Sequence, residues 1–327
     1  MNANEVIANR AIEILGGRKG DYRIVHPNDD VNLCQSTNDV FPTAGKMTVL
    51  QLLPELIAEL EKLELALADK AKEFAGVIKM GRTQMQDAVP TTLGRTFQAY
   101  QSFVKRDIRH LMSAAEEMKS LNLGGTAIGN AINATPEYLE NITAFVSAEV
   151  GIAFTQAEDL FDATQHVDGF VRVSAAIKTA AVNLSKMSND LRLLSSGPRA
   201  GIGEINLPAK QNGSSIMPGK VNPVIPEVVS QVAFRVIGND LTITMAAESG
   251  QLELNAFEPI IFHSLFESID CLVHAVATLT VNCITGIQAN EMACYKQVEE
   301  SAGIATALCP TIGYQQASAI AKESLKT

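Results

Sequence analysis

The sequence contains no tryptophan, few aromatic residues and no paired cysteine motif. Aromatic residues make up 5% of the 327 residues, whereas Ala, Leu, Glu, Lys and Met fill the long middle stretches, a composition that favours helix. The five cysteines are odd in number and widely spaced, which is typical of free core thiols in a reducing compartment rather than of a disulfide framework. They are Cys34, Cys271, Cys283, Cys294 and Cys309.

The chain also lacks an excess of basic residues, because its formal net charge is −10. This charge argues against a nucleic-acid surface, which needs a basic stripe to neutralise phosphates. No apolar run reaches the ~18 residues of a membrane helix, and the first residues lack the features of a signal peptide. The five histidines do not stand with Cys, Asp or Glu at metal-ligand spacing. We therefore expect a cytoplasmic protein with no membrane or nucleic-acid partner and no metal site.

Apolar residues recur at three- and four-residue steps through most of the chain, which predicts helices. No stretch alternates with a period of two, so sheet content should be minor. The length of several segments predicts an all-α fold with a central bundle of long helices. The predicted helices cover residues 4–16, 43–74, 92–120, 136–150, 167–195, 224–250 and 260–286.

Nearly 30 residues between two of these helices, 195–223, are rich in Gly and Pro and read as a loop. Loops of this length in compact domains are usually functional or disordered. Ser214 stands on a glycine-flanked turn here, and a cation, Lys220, follows six residues later. Exposed N–H groups and a cation near a hydroxyl can lower its pKa and hold an oxyanion. From the residues alone, a catalytic loop and a solvated surface loop are both open.

Three motifs at consistent separation resemble the signatures of the aspartase/fumarase superfamily. The longest is Gly213–Pro223, with Gly-Ser, Met-Pro, Lys and Asn-Pro at fixed spacing. The others are Gln35–Asp39 and Gly81–Pro90. The resemblance extends over essentially the whole chain, including Ser195–Arg199 and Thr311–Tyr314.

The resemblance implies an all-α bundle with partial N- and C-terminal helical segments. We expect residues 1–38 to be the remnant of an N-terminal domain and substrate loop, 39–288 the central helical bundle, and 289–327 a partial C-terminal domain. The family carries a further N-terminal domain before the position of Met1, so we expect a truncated chain. The resemblance also implies a homotetramer in which three subunits build each active site.

The long loop supplies the catalytic group that the resemblance implies. Ser214 is the expected general base, which removes a proton from C3 of a small dicarboxylate substrate. Lys220, counted with Ser214 as catalytic, and Asn222 are expected to bind the α-carboxylate. Ser215 is expected among the substrate-binding residues.

The other two motifs supply the rest of the expected site. Ser36, Thr37 and Thr83 are expected to bind the β-carboxylate, with Asn38 and Gln84 near the amino group. Deprotonation next to a carboxylate gives an aci-carboxylate with a second negative charge, and neutral hydroxyl and amide donors stabilise such a charge. Ammonia then leaves from C2, so no metal or organic cofactor is required.

Position 84 bears on the choice between two family reactions. Fumarases of the family, and some aspartases, carry a His there. In the fumarase pattern that His pairs with a Glu at the place of Glu227, whereas the residue here is Gln84. The segments 201–208, 224–229 and 245–252 also look like aspartases. We therefore expect an ammonia-lyase acting on L-aspartate, with a class II-type fumarate hydratase as the alternative. A non-catalytic structural paralogue, or an inactive truncated fragment, is the alternative of another class.

Overall fold

A computed structural model describes residues 1–324, and these residues are mostly helical, which confirms the all-α prediction. Five helices have 24 residues or more: α2, α3, α6, α7 and α8, as bounded next. The α-helices are α1 Asn2–Ile14, α2 Thr37–Glu73, α3 Leu93–Glu116, α4 Pro136–Val150, α5 Leu160–Gln165, α6 Asp168–Leu194, α7 Val224–Glu248, α8 Glu258–Asn282, α9 Glu291–Glu299, α10 Cys309–Ile312 and α11 Tyr314–Ser324.

Sheet content in the described residues is minor, as predicted, and consists of three two-stranded sheets. The largest, which the sequence did not predict, is an antiparallel hairpin of β1 and β2. β3 pairs with β4 in parallel, and β5 pairs with β6 antiparallel. The strands are β1 Ile78–Thr83, β2 Gln86–Thr92, β3 Ser120–Leu121, β4 Thr155–Gln156, β5 Ile205–Asn206 and β6 Gln288–Ala289.

The chain divides into two compact units, each built from three chain segments. Unit 1 comprises Met1–Leu53, Met112–Ala175 and Asn239–Phe266. Unit 2 comprises Pro54–Leu111, Ala176–Gly238 and the chain from Glu267 onward. The domain boundaries predicted at residues 38 and 288 stay predictions, and residues 325–327 of the last predicted domain lie outside the described residues.

Phe262 is the centre of aromatic packing in unit 1. Its ring centroid lies 5.0 Å from those of both Phe41 and Phe170. Gly45 makes room for the ring, because a Cβ at that position would lie 2.2 Å from it. A second apolar cluster in this unit joins Leu121 and Phe154.

Phe97 plays the same part in unit 2. Its ring lies 5.3 Å from Phe74 and 5.8 Å from Tyr100. Tyr100 donates its hydroxyl to Asp190, 2.9 Å away, so this aromatic row ends on a paired polar group. Burial, followed by the nearby Asp190 charge, raises the pKa of Tyr100.

Two sequence expectations need correction. Residues 258–286 are long and apolar enough to cross a membrane by length and composition, although 56% of that window is buried, as in the core helix of a soluble protein. This is weak evidence for a span. All five cysteines are free, as predicted, but only Cys283 and Cys294 are buried; the other three are partly exposed. Burial raises the pKa of Cys283 to about 12 and that of Cys294 to about 11.

Candidate functional site

The Ser36–Asp39 motif forms the N-terminus of α2 in unit 1, six residues before the predicted helix start. Ser36 Oγ accepts a hydrogen bond from Asn38 N at 3.2 Å, and Ser36 N donates to Asp39 Oδ1 at 2.9 Å. This reciprocal arrangement is a capping box, which stabilises the first turn of the helix. The helix therefore starts earlier in the chain than predicted. A helix N-terminus also favours a bound anion, because its free N–H groups and its dipole point toward it.

Asp39 is the residue of this motif to which the sequence assigned no role. It is fully buried, and its Oδ2 accepts hydrogen bonds from Gly124 N at 3.1 Å and Thr126 N at 3.0 Å. Burial raises the pKa of Asp39, while the hydrogen bonds from backbone N–H groups oppose that rise. The Ser-x-x-Asp spacing was the available sequence signal for the contact with Ser36, but nothing local indicated the contact with residues 124–126.

The glycine-rich turn after β3 lies against this motif. Asn38 Nδ2 donates one hydrogen bond to Ala127 O at 2.7 Å, and within the described residues no donor bonds its Oδ1. Gly129 has φ +89°, and a Cβ there would lie 2.4 Å from Leu160 O. Both facts require glycine at this position.

Thr83 and Gln84 lie at the tip of the β1–β2 hairpin in unit 2, and both are exposed. Gln84 and Met85 form a two-residue turn with φ of +51° and +67°. Positive φ at both central residues is the mark of a type I′ turn, in which Asn-Gly is preferred. The turn therefore holds two ordinary residues in a conformation they rarely adopt.

The Ser214–Asn222 segment lies in the long loop of unit 2. Ser214 Oγ accepts hydrogen bonds from Ile216 N and Met217 N, both at 3.2 Å. The loop closes on itself, because a Cβ on Gly213 would lie 1.3 Å from Lys220 O. The two backbone N–H groups stabilise negative charge on the Ser214 oxygen, which is the requirement for a serine base.

The other predicted site residues of this loop are at least partly exposed to solvent. Ser215 and Lys220 are exposed, and Asn222 is partly exposed. Within residues 1–324 no carboxylate lies within ion-pair distance of Lys220, so its charge is available to a ligand. Glu227, which the fumarase pattern would pair with a histidine at position 84, instead lies 3.6 Å from Arg192.

The predicted site residues thus fall into three clusters. Ser36, Thr37 and Asn38 lie together at one helix end in unit 1, and the other two clusters belong to unit 2. Within the described chain, no hydrogen bond or ion pair joins the Thr83–Gln84 turn to the Ser214 loop. In the same residues, no group of three His, Cys, Asp or Glu side chains is placed to hold a metal.

A family described as Lyase matches residues 1–238. The aspartate ammonia-lyase of Helicobacter pylori is 56% identical over all 327 residues, which span 70% of that protein. That of Bacillus subtilis is 49% identical over 327 residues, spanning 69% of its length.

Solved structures show the same relationship. The fumarate lyase:delta crystallin of Brucella melitensis bound to cobalt has a TM-score of 0.96 and 53% identity, with all of this chain and 71% of that one covered. The recombinant class II fumarase of Schistosoma mansoni has a TM-score of 0.96 and 35% identity, covering 99% of this chain and 71% of that one. The chain therefore belongs to the aspartase/fumarase superfamily and is a carbon–nitrogen lyase.

Proposed function

We propose that the protein is an aspartate ammonia-lyase, which converts L-aspartate reversibly to fumarate and ammonia. The observation that carries this proposal is the identity of 49–56% over the whole chain to relatives named aspartate ammonia-lyase. The substrate of this reaction is a small dicarboxylate with an amino group at C2.

The bond changes follow from one proton transfer. Ser214 Oγ takes the proton from C3, and the electron pair left behind spreads into the β-carboxylate as an aci-carboxylate. That pair then forms the C2–C3 double bond, while the C2–N bond breaks and its electrons leave with ammonia. Ser214 returns its proton to solvent, and fumarate remains. No metal or organic cofactor is required in this sequence of steps.

The geometry of each cluster supports one part of this mechanism. The two N–H groups on Ser214 Oγ favour its charged form. Lys220, which has no ion-pair partner among residues 1–324, is the cation for the α-carboxylate. Asn38 Oδ1, which accepts no hydrogen bond in that part of the chain, is the acceptor for the amino group, and the N-terminus of α2 suits the β-carboxylate.

A homotetramer with sites shared by three subunits is part of the proposal. Large apolar side chains on α7 are exposed in the single chain: Phe234, Ile237, Leu241 and Met245. Their spacing of three and four residues puts them on one face of the helix. Contiguous exposed apolar patches of this kind commonly mark protein–protein interaction sites. We expect light scattering to give the mass of four chains, and a stable monomer would contradict the tetramer.

A cytoplasmic location also stays a prediction.

The decisive experiment follows fumarate absorbance after addition of L-aspartate to the full-length protein, with L-malate in a parallel cuvette. A rise with aspartate alone supports the ammonia-lyase. A rise with malate supports a fumarate hydratase, which the likeness to the Schistosoma mansoni enzyme keeps as the second candidate. Gln84 and the Glu227–Arg192 contact speak against it. An assembled protein that shows no rise in fumarate absorbance with either substrate would support a non-catalytic paralogue or an inactive fragment.

A further inference from the structure

The hairpin turn that carries Gln84 needs support from outside the hairpin. Neither Gln84 nor Met85 is a residue that favours positive φ. Backbone in such regions persists only when the surrounding structure holds it in place. The support must therefore come from side chains that tie β1 to the rest of unit 2.

Arg82, which precedes Thr83, provides one attachment. Its Nη1 donates to Glu204 Oε1 at 2.6 Å, and its Nη2 donates to Gln297 Oε1 at 2.5 Å. Gln297 is fixed in turn, because its Nε2 donates to Ile202 O at 2.6 Å. Both branches of the guanidinium are thus occupied, which fixes its plane as well as its position.

Glu204 is a rigid anchor for this contact. Its side chain is fully buried, and its other oxygen, Oε2, faces Lys79 Nζ at 3.0 Å as an ion pair. The backbone of Glu204 bonds Leu194 O at 2.9 Å and accepts from Asn290 N at 2.8 Å. Glu204 therefore holds two cations of β1 with its carboxylate, while its backbone is bonded to the end of α6 and the start of α9.

A β-bulge lies between the two cations of β1. The β1–β2 register shifts between Met80 and Arg82, where the single residue Gly81 of β1 faces two residues of β2, Ala88 and Val89. The long side chains of Lys79 and Arg82 reach the Glu204 carboxylate from the two ends of this shift. Gly81 stands at the shift, where a Cβ would lie 2.7 Å from Val89 O.

We propose that Glu204 is a positioning residue of the active site. Acting through Arg82, it holds Thr83 and Gln84 in the arrangement that binds the dicarboxylate. This inference rests on the proposed function, in which these two side chains contact substrate.

The test compares Glu204→Gln with wild type in the full-length protein, with KM and kcat for L-aspartate measured separately. We expect KM to rise and kcat/KM to fall at least tenfold, because Arg82 loses its charged partner. Asp107→Asn is the matched control: Asp107 is a buried carboxylate of unit 2 bonded to Asn183. We expect this control to lower the thermal midpoint but to leave KM and kcat unchanged.

A second variant gives a readout that a purely structural role would not move. Adding Gln297→Glu to Glu204→Gln places a carboxylate on the other branch of Arg82, and we expect it to recover at least threefold in kcat/KM. Unchanged KM and kcat in a folded Glu204→Gln protein would overturn the proposal. So would a loss that the second carboxylate leaves untouched.

Two further variants apply if Glu204→Gln does not fold. Arg82→Lys and Gln297→Leu both keep the buried Glu204 charge, and each removes a branch of the fork. We expect each to weaken binding of succinate, an unreactive dicarboxylate, at least threefold by calorimetry. Unchanged succinate binding in both would overturn the proposal. A wild-type protein that makes no fumarate would instead overturn the proposed function.

Discussion

Ser36 in unit 1 and Ser214 in unit 2 both accept hydrogen bonds from backbone N–H groups. The two serines differ in the contacts that hold their segments in place. Behind Ser36 is Asp39, a buried carboxylate that also accepts from two N–H groups of a turn 85 and 87 residues away in the chain. Within the described residues, the hydrogen bonds to Ser214 come from its own loop, in which Ile216 is 82% exposed. The first serine is positioned by tertiary contacts, the second by local backbone geometry.

This contrast indicates where each kind of damage should be felt. A change at the Ser36 segment should lower both stability and activity, because the same buried contacts serve both. A change in the Ser214 loop should lower activity while the free energy of unfolding of the chain stays the same. In the proposed tetramer, a neighbouring subunit would cover this exposed loop.

The largest effect is expected from Ser214→Ala. Removing a general base typically costs 10²–10⁴-fold, so we expect kcat to fall on the order of 10³-fold. The thermal midpoint should stay at the wild-type value, because among residues 1–324 Ser214 Oγ is hydrogen-bonded to its own loop alone. Ser195→Ala, in the same loop, is the control and should keep full activity. Near-normal turnover by Ser214→Ala would remove Ser214 from the role of base.

Glu258 in unit 1 sharpens the comparison, because it is a buried carboxyl like Asp39. Its ionised form is stabilised by the charge of Lys46, whereas that of Asp39 is stabilised by backbone N–H groups. Burial raises the pKa of Glu258 from 4.5 to about 7, and the Lys46 charge opposes that rise. A carboxyl with a raised folded-state pKa destabilises the fold as pH rises from about 4.5 to about 7, since the unfolded chain ionises first.

Glu258→Gln should therefore flatten this part of the stability profile. The free energy of unfolding of the variant should exceed that of wild type by up to roughly 3 kcal/mol at pH 8 and match it near pH 4. Denaturant titrations across this pH range measure the difference. Parallel profiles for the two proteins would contradict a raised pKa at Glu258.

Asp39→Asn should affect both quantities at once. Asparagine offers one acceptor oxygen in place of two, so its amide would face either Ser36 N or the N–H groups of Gly124 and Thr126. We expect a loss of about 2 kcal/mol in the free energy of unfolding, and a lower kcat/KM. Asp21→Asn, at an exposed ion pair of the same unit, should change neither. A stable but inactive Asp39→Asn would mean that Asp39 acts in chemistry instead.

Gly213→Ala should have the smallest effect, confined to activity. The added Cβ would meet Lys220 O, which pushes the ends of the Ser214 loop apart. We expect kcat/KM to fall about tenfold, which corresponds to 1.4 kcal/mol, with an unchanged thermal midpoint. Gly219→Ala is the matched variant: it has φ +81° but open space around its Cβ, so it should do less harm. Equal losses in the two variants would mean that backbone strain, rather than the close approach of Gly213 and Lys220, governs the loop.

How far the sequence predicted the fold depends on where the signals lay. The bounds of α4 were predicted to the residue, because Thr135 caps the helix, Pro136 opens it and Gly151 closes it with φ +74°. α2 starts at Thr37 rather than at the predicted residue 43, because the contacts of Ser36 and Asp39 cap its first turn. The β1–β2 hairpin was missed because its strands lack alternating burial and β2 contains Pro90.

The sequence by itself determined the helical class and the family, and it supplied the residues to which the proposed chemistry is assigned. Helix periodicity and the three motifs are local properties of the chain, so they can be read without coordinates. Only the tertiary structure decided the roles of Asp39 and Glu204, whose partners lie up to 122 residues away. A buried carboxylate is stable only with its partners in place, and the fold, not the spacing in the chain, brings those partners to it.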